Sequence, residues 1–131
     1  MTPLMFELSA APGLAAGVAE RLPCDLGELS SRRFPDGETY LRFGTPVEAR
    51  DIILLCTLDR PDPKLASLLF AARAAREHGA RRIGLVAPYL AYMRQDTEFH
   101  PGELVTSSLF ARVISEQFNW LLTIDPHLHR Y

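Results

Sequence analysis

Three short clusters carry side chains able to do more than pack: Phe34-Pro35-Asp36-Gly37-Glu38, Arg94-Gln95-Asp96 and Asp125-Pro126-His127-Leu128-His129. In the first, two carboxylates flank a D-G turn beside an aromatic ring. Carboxylates accept hydrogen bonds from an exocyclic amine and the Phe34 ring offers a stacking face, a combination suited to a purine base. The same five residues also fit a solvated hairpin tip, because D-G turns are common. The second cluster sets a guanidinium, an amide and a carboxylate side by side. Arginine grips phosphate through two parallel N–H donors, although a salt-bridged surface turn fits the tripeptide equally well. In the third, Asp125, His127 and His129 project to one side of an extended chain, and carboxylate with neutral imidazole can ligate a divalent cation. Magnesium takes one or two protein ligands beside substrate phosphates, so Asp125 and His127 would suffice. Zinc fits less well without a nearby thiolate, and both histidines also suit a surface or an interface. His78 and His100 have no partners evident in sequence and read as solvated. Together the three clusters suggest a nucleotide and metal site.

Such groups need a frame that holds loops together. Asp51-Ile52-Ile53-Leu54-Leu55-Cys56 is a continuous apolar run, as expected of a parallel strand covered on both faces. Arg82-Ile83-Gly84-Leu85-Val86-Ala87 is a second, and Trp120 to Ile124 a third. Leu4 to Leu8 reads as a first strand, followed by a helix from Gly13 to Leu22 with Leu14, Val18 and Leu22 on one stripe. Pro23 stops it. Short β-prone pieces follow at Cys24–Leu29, Ser31–Phe34 and Thr39–Phe43, the last two joined by the D-G turn. The next helix is sharply punctuated: Asp62 as its cap, Pro63 at its first position, Leu65, Leu68, Leu69 and Ala72 on one face, and Gly79 closing it. A third helix spans about Glu103 to Phe118. Strand and helix alternate, which predicts an α/β fold with a mostly parallel sheet flanked by helices and right-handed crossovers. Arg94-Gln95-Asp96 then falls just after a central strand, where ligands bind in open α/β sheets. Tyr89 and Tyr92 beside it read as packing residues with polar tips.

The 131 residues suit one domain, and 47% hydrophobic with 23% charged residues is ordinary globular composition. Fourteen basic against sixteen acidic residues leave a net charge of -2, which argues against binding nucleic acid by bulk phosphate neutralisation. Any polyanion site must be local. No basic leader with an apolar core opens the chain, and no apolar run approaches the ~18 residues of a membrane span, so a cytoplasmic location and no membrane partner are expected. Cys24 and Cys56 lie far apart without a CxxC pattern and read as reduced, buried thiols.

With F-P-D-G-E at Phe34 to Glu38, P-Y-x-x-Y-x-R-Q-D at Pro88 to Asp96, P-G-E at Pro101 to Glu103 and D-P-H at Asp125 to His127, the chain resembles the N-terminal half of ribose-phosphate diphosphokinases, the phosphoribosyl pyrophosphate synthetases. Four motifs in the family's order are jointly specific, and the P-G-E form looks closer to its archaeal-type or divergent bacterial branch. The resemblance implies a phosphoribosyltransferase-like N-terminal domain over residues 1–131, with the ribose 5-phosphate domain absent from this chain. It implies transfer of a diphosphoryl group from magnesium-ATP to the anomeric hydroxyl of ribose 5-phosphate, within a homo-oligomer. Carried over by position, Phe34, Asp36, Gly37 and Glu38 would meet adenine, typically across a subunit boundary. Arg94, Gln95 and Asp96 would line the nucleotide and phosphate site, and His127 with Asp125 would bind Mg2+. Two departures stand out. Thr97, Glu98 and His100 follow Asp96 where the family usually has basic residues, and no phosphate loop for ribose 5-phosphate occurs in these residues. An alternative is a non-catalytic homologue acting as an oligomerisation or regulatory module.

Overall fold

The computed structural model describes residues 2–123. Asp125 and His127, the expected metal ligands, lie outside them, as does His129. Among the described residues the elements run β1 (Leu4–Ser9), α1 (Leu14–Arg21), β2 (Asp25–Leu26), β3 (Leu29–Arg33), β4 (Thr39–Phe43), β5 (Asp51–Cys56), α2 (Asp62–Glu77), β6 (Arg82–Ala87), α3 (Thr106–Gln117) and β7 (Trp120–Thr123). The expected parallel sheet is present, in the order β2-β1-β5-β6-β7, each pairing parallel.

The continuous apolar runs have the burial that a two-sided cover demands. In β5, Ile52, Leu54 and Cys56 face one layer and Ile53 and Leu55 the other, all of them buried. The first layer is roofed by α2 and α3 through Leu68, Ala71, Ala72, Ala75, Phe110 and Ile114. The second is covered by α1 through Val18, with Leu14 and Leu22 packed at its margin, which is the stripe expected of that helix. Gly84 in β6 belongs to this second layer, and the indole of Trp120 lies over it so closely that a Cβ there would fall 1.9 Å from the ring. The missing side chain makes room for the large one.

β3 and β4 form a separate antiparallel hairpin, register Arg33↔Thr39 through Leu29↔Phe43. It is pinned to the first layer by Phe43, whose ring centroid lies 4.9 Å from that of Phe6. The hairpin tip is thereby held beside the start of α2: the Arg33 guanidinium donates to the Pro63 carbonyl.

The termini of α2 and α3 differ from expectation. Asp62 does not cap α2; it is the first helical residue, the cap position is Pro61, and no side chain caps the helix. The Asp62 carboxylate instead accepts a hydrogen bond from the Tyr92 hydroxyl. Gly79 does close α2, at φ 91°, with its N–H donating to the Arg76 carbonyl at 3.0 Å. α3 begins at Thr106 rather than near Glu103, because Pro101-Gly102-Glu103 is spent in a turn where Glu103 Oε1 accepts the His100 N–H at 2.6 Å. His100, exposed as expected, therefore has a partner after all: its Nδ1 lies 3.5 Å from Glu103 Oε1. His78 is also exposed and meets the edge of Phe43. Cys56 is a buried free thiol, whereas Cys24 is only half-buried. No helix among the described residues is long and apolar enough to cross a membrane.

Candidate nucleotide site

β5 and β6 end side by side, and the loops that leave them are tied together: the Leu58 N–H donates to the Tyr89 carbonyl at 3.0 Å. Thr57 to Pro61 leads into α2, while Pro88 to Gln95 crosses in front of the same helix start. Between them opens a cavity of about 350 Å³ whose lining includes Asp59, Arg60, Tyr92, Arg94, Gln95 and Thr106. It sits at the carboxyl edge of the parallel strands, the position at which such sheets bind ligands.

The walls of this cavity are fixed by polar contacts and by backbone strain. Lys64 Nζ donates to the Thr57 carbonyl at 2.8 Å and to Asp59 Oδ1 at 2.6 Å, which closes the β5–α2 loop on itself. That contact holds the Asp59 carboxyl below its usual pKa. Arg60 and Tyr92 both adopt left-handed backbone, at φ 49° and 62°. For a residue with a Cβ this costs about 1–2 kcal/mol, and such strain collects at ligand sites. Tyr92 is held from both ends, its hydroxyl on Asp62 and its ring 5.2 Å from that of Phe110; Tyr92 thus packs and bonds as its sequence position suggested. Arg94 is exposed, and among the described residues it has no ion-pair partner. Gln95 donates from Nε2 to the Thr97 carbonyl at 2.9 Å, and its own carbonyl accepts the Ser107 N–H at 3.1 Å. Asp96 is half-buried and does not line the cavity.

The hairpin tip is a tight turn. The Gly37 N–H donates to the Phe34 carbonyl and the Phe34 N–H to the Glu38 carbonyl, both at 2.8 Å, with Gly37 at φ 95°. Asp36 Oδ1 accepts the Glu38 N–H at 3.0 Å, and this bond holds the Asp36 carboxyl below its ordinary value. Asp36 therefore stays an ionised acceptor through the neutral range. Phe34 is 44% exposed, edge-on to Tyr40, and the Arg32 guanidinium lies over both rings, 5.7 Å from the first and 4.4 Å from the second. The D-G turn and the open ring are thus as read from the sequence; Arg32 and Arg33 were missed, although their position next to Phe34 could have marked them.

Among the described residues, the tip and Arg94 line different cavities. Gly37 and Glu38 open onto a second cavity of about 360 Å³, shared with Asp62, Pro63, Ala66 and Phe70, and it has no lining residue in common with the cavity of Arg94. α2's first turn stands between them. The described residues contain no group of three or more His, Cys, Asp or Glu able to hold a metal ion.

A parallel sheet with this order, a separate hairpin and loops gathered at the strand ends defines an α/β domain of phosphoribosyltransferase type. The described fold overlays a hypoxanthine phosphoribosyltransferase from Staphylococcus aureus with a TM-score of 0.57 at 10% identity, a likeness of fold alone. The phosphoribosylpyrophosphate synthetase of Mycobacterium smegmatis is much nearer, with a TM-score of 0.87 and 26% identity over 99% of this chain and 44% of that one. Residues 4–117 match the family model of the N-terminal domain of ribose phosphate pyrophosphokinase. Relatives named ribose-phosphate pyrophosphokinase include those of Methanopyrus kandleri, 34% identical over 94% of this chain and 43% of its own length, and of Methanobrevibacter smithii, 38% identical over 81% and 36%. The chain belongs to the ribose-phosphate pyrophosphokinase family, matching its N-terminal domain, and spans less than half the length of these relatives.

Proposed function

We propose that this chain is the nucleotide-binding half of a ribose-phosphate pyrophosphokinase, which transfers diphosphate from magnesium-ATP to ribose 5-phosphate. The observation that carries this reading is the guanidinium of Arg94, without an ion-pair partner among the described residues, on a cavity at the β5 and β6 strand ends. Arg94 grips the phosphates bidentately, Gln95 adds an amide contact, and Asp96 lies next to them in the same loop. Phe34 stacks on adenine while Asp36 and Glu38 accept from its amine. In this reading the tip, which opens onto a different cavity from that of Arg94, serves a neighbouring copy, and the working protein is a homo-oligomer. The anomeric hydroxyl attacks the β-phosphorus and gives up its proton to solvent water, the bond from that phosphorus to the α,β-bridging oxygen breaks, and AMP leaves. In such a transfer the protein chiefly positions groups and offsets charge. Magnesium, when bound, neutralises phosphate charge; Asp125 and His127 are its proposed ligands. The ribose 5-phosphate site belongs to the part of the relatives that this chain does not span. A cytoplasmic setting follows from that substrate pair.

Calorimetry on the protein at its natural length tests the assignment. Magnesium-ATP should bind, Arg94→Ala should weaken it more than tenfold, and light scattering should find an oligomer. A folded protein that binds no nucleotide would instead support a regulatory module.

A further inference from the structure

The cavity that Arg94 lines has a second guanidinium. Arg60, from the β5–α2 loop, lines it too, and among the described residues neither arginine is in an ion pair. Of the carboxylates nearby, Asp59 is paired with Lys64 at 2.6 Å, while Asp62, which accepts from the neutral Tyr92 hydroxyl, is not among the residues lining the cavity. Among the described residues lining the cavity, the charges without an ion-pair partner are those of Arg60 and Arg94. Arg60 is also held in left-handed backbone at φ 49°, a conformation an arginine has no intrinsic reason to adopt. The segment after Asp96 supplies no such charge, since Thr97, Glu98 and Phe99 follow it and His100 leans on Glu103.

We propose that Arg60 is a second anion ligand of this cavity, holding a diphosphate group between itself and Arg94 and supplying from the β5–α2 loop the positive charge that the residues after Asp96 lack. This rests on the reading of the Arg94 cavity as a phosphate site, and it adds a residue from a different loop that neither motif nor position had singled out. Two guanidiniums lining one cavity suit a group with two phosphoryl units, because each can make paired N–H contacts to one unit.

The test uses inorganic pyrophosphate and magnesium-ADP as probes, by calorimetry on the natural-length protein at low and high salt. Arg60→Asn removes the charge while keeping a residue that tolerates left-handed backbone. It should weaken both probes by about tenfold or more, with a shallower salt dependence, at unchanged melting temperature. Arg60→Lys should fall between, since an ammonium keeps the charge and loses the paired geometry; if Arg60→Asn unfolds, Arg60→Lys carries the test by a severalfold loss. Binding within twofold of the parent in these variants overturns the inference. If Arg94→Ala loses both probes while Arg60→Asn keeps them, the phosphate reading stands and the role of Arg60 falls. If pyrophosphate binds and is lost in Arg60→Asn while no adenine nucleotide binds, the role of Arg60 stands and the nucleotide reading falls. A parent that binds neither probe refutes both.

Discussion

Replacing Gly84 by alanine isolates the contact between the smallest and the largest side chains of the sheet's second layer. A Cβ at Gly84 would lie 1.9, 2.1 and 2.4 Å from Cε2, Cζ2 and Cδ2 of Trp120. Carbon atoms settle at about 3.5–4.0 Å, so the indole must retreat by roughly 1.5 Å and lose contact with the strand beneath it. Overpacking of this kind costs about 1–3 kcal/mol. Alanine in a strand recovers about 0.5–1 kcal/mol of backbone entropy relative to glycine, so a net loss of up to about 2.5 kcal/mol is expected in urea unfolding followed by circular dichroism. Trp120 is the single tryptophan, so its native emission should shift to the red in the same variant. The decisive measurement is the double variant. With Trp120→Ala already in place the clash is gone, and Gly84→Ala should become neutral or stabilising, giving a coupling of about 1–3 kcal/mol. An equal cost with and without the indole would refute the reasoning and show that glycine serves the backbone.

Three further outcomes are expected. Burial pushes the Cys56 thiol up to about 11, so a disulfide reagent at pH 8 should leave it unmodified until the protein unfolds, while half-buried Cys24 reacts slowly in the native state; mass spectrometry of the labelled peptides separates the two. Gly79→Ala should lower stability by about 1–2 kcal/mol in thermal melts, because φ 91° is unfavourable for alanine and its Cβ would press on Glu48 Cγ at 3.2 Å. The hydrogen bonds from Arg81 hold the Asp51 carboxyl below its unfolded value of 3.8. That contribution is complete above the unfolded value and is lost as pH falls through the lower folded one. Melting curves between pH 6 and 2.5 should therefore fall less steeply for Asp51→Asn, and only slightly so, since the pair is largely exposed.

Much of the fold was legible because its signals are local. The runs Ile52–Cys56 and Ile83–Ala87 are apolar on both faces, which only a covered parallel strand requires, and Gly79 marks a left-handed helix end. The Asp36-Gly37 pair likewise encodes its own turn. What was not legible depends on partners distant in sequence. Asp62 looks like a cap, but Tyr92 claims its carboxylate from 30 residues away, and Pro61 takes the cap position. Glu103 looks like a first-turn acid and is instead drawn into the His100 turn. The site splits in the same way. Arg94 stands at a strand end that periodicity locates, whereas the left-handed backbone of Arg60 leaves no mark in residue type and emerges only where the two loops meet. That the hairpin tip faces a different cavity from Arg94 follows from the packing of Phe43 on Phe6, which no local pattern records.

The place of β1 in the sheet carries a consequence for synthesis. The strand made first is an interior one, between β2 and β5, and its pairing Leu4↔Ile52 waits for a segment nearly fifty residues downstream. At about 5–20 residues per second, Leu4, Met5 and Phe6 emerge some 2–10 s before β5 can cover them. Over that interval the nascent chain presents a short apolar strand with one edge unfilled, able to pair with whatever other strand is near. A pause before the Gly44 to Cys56 segment has left the ribosome would lengthen this exposure and favour aggregation, whereas a pause after that segment has emerged would be harmless.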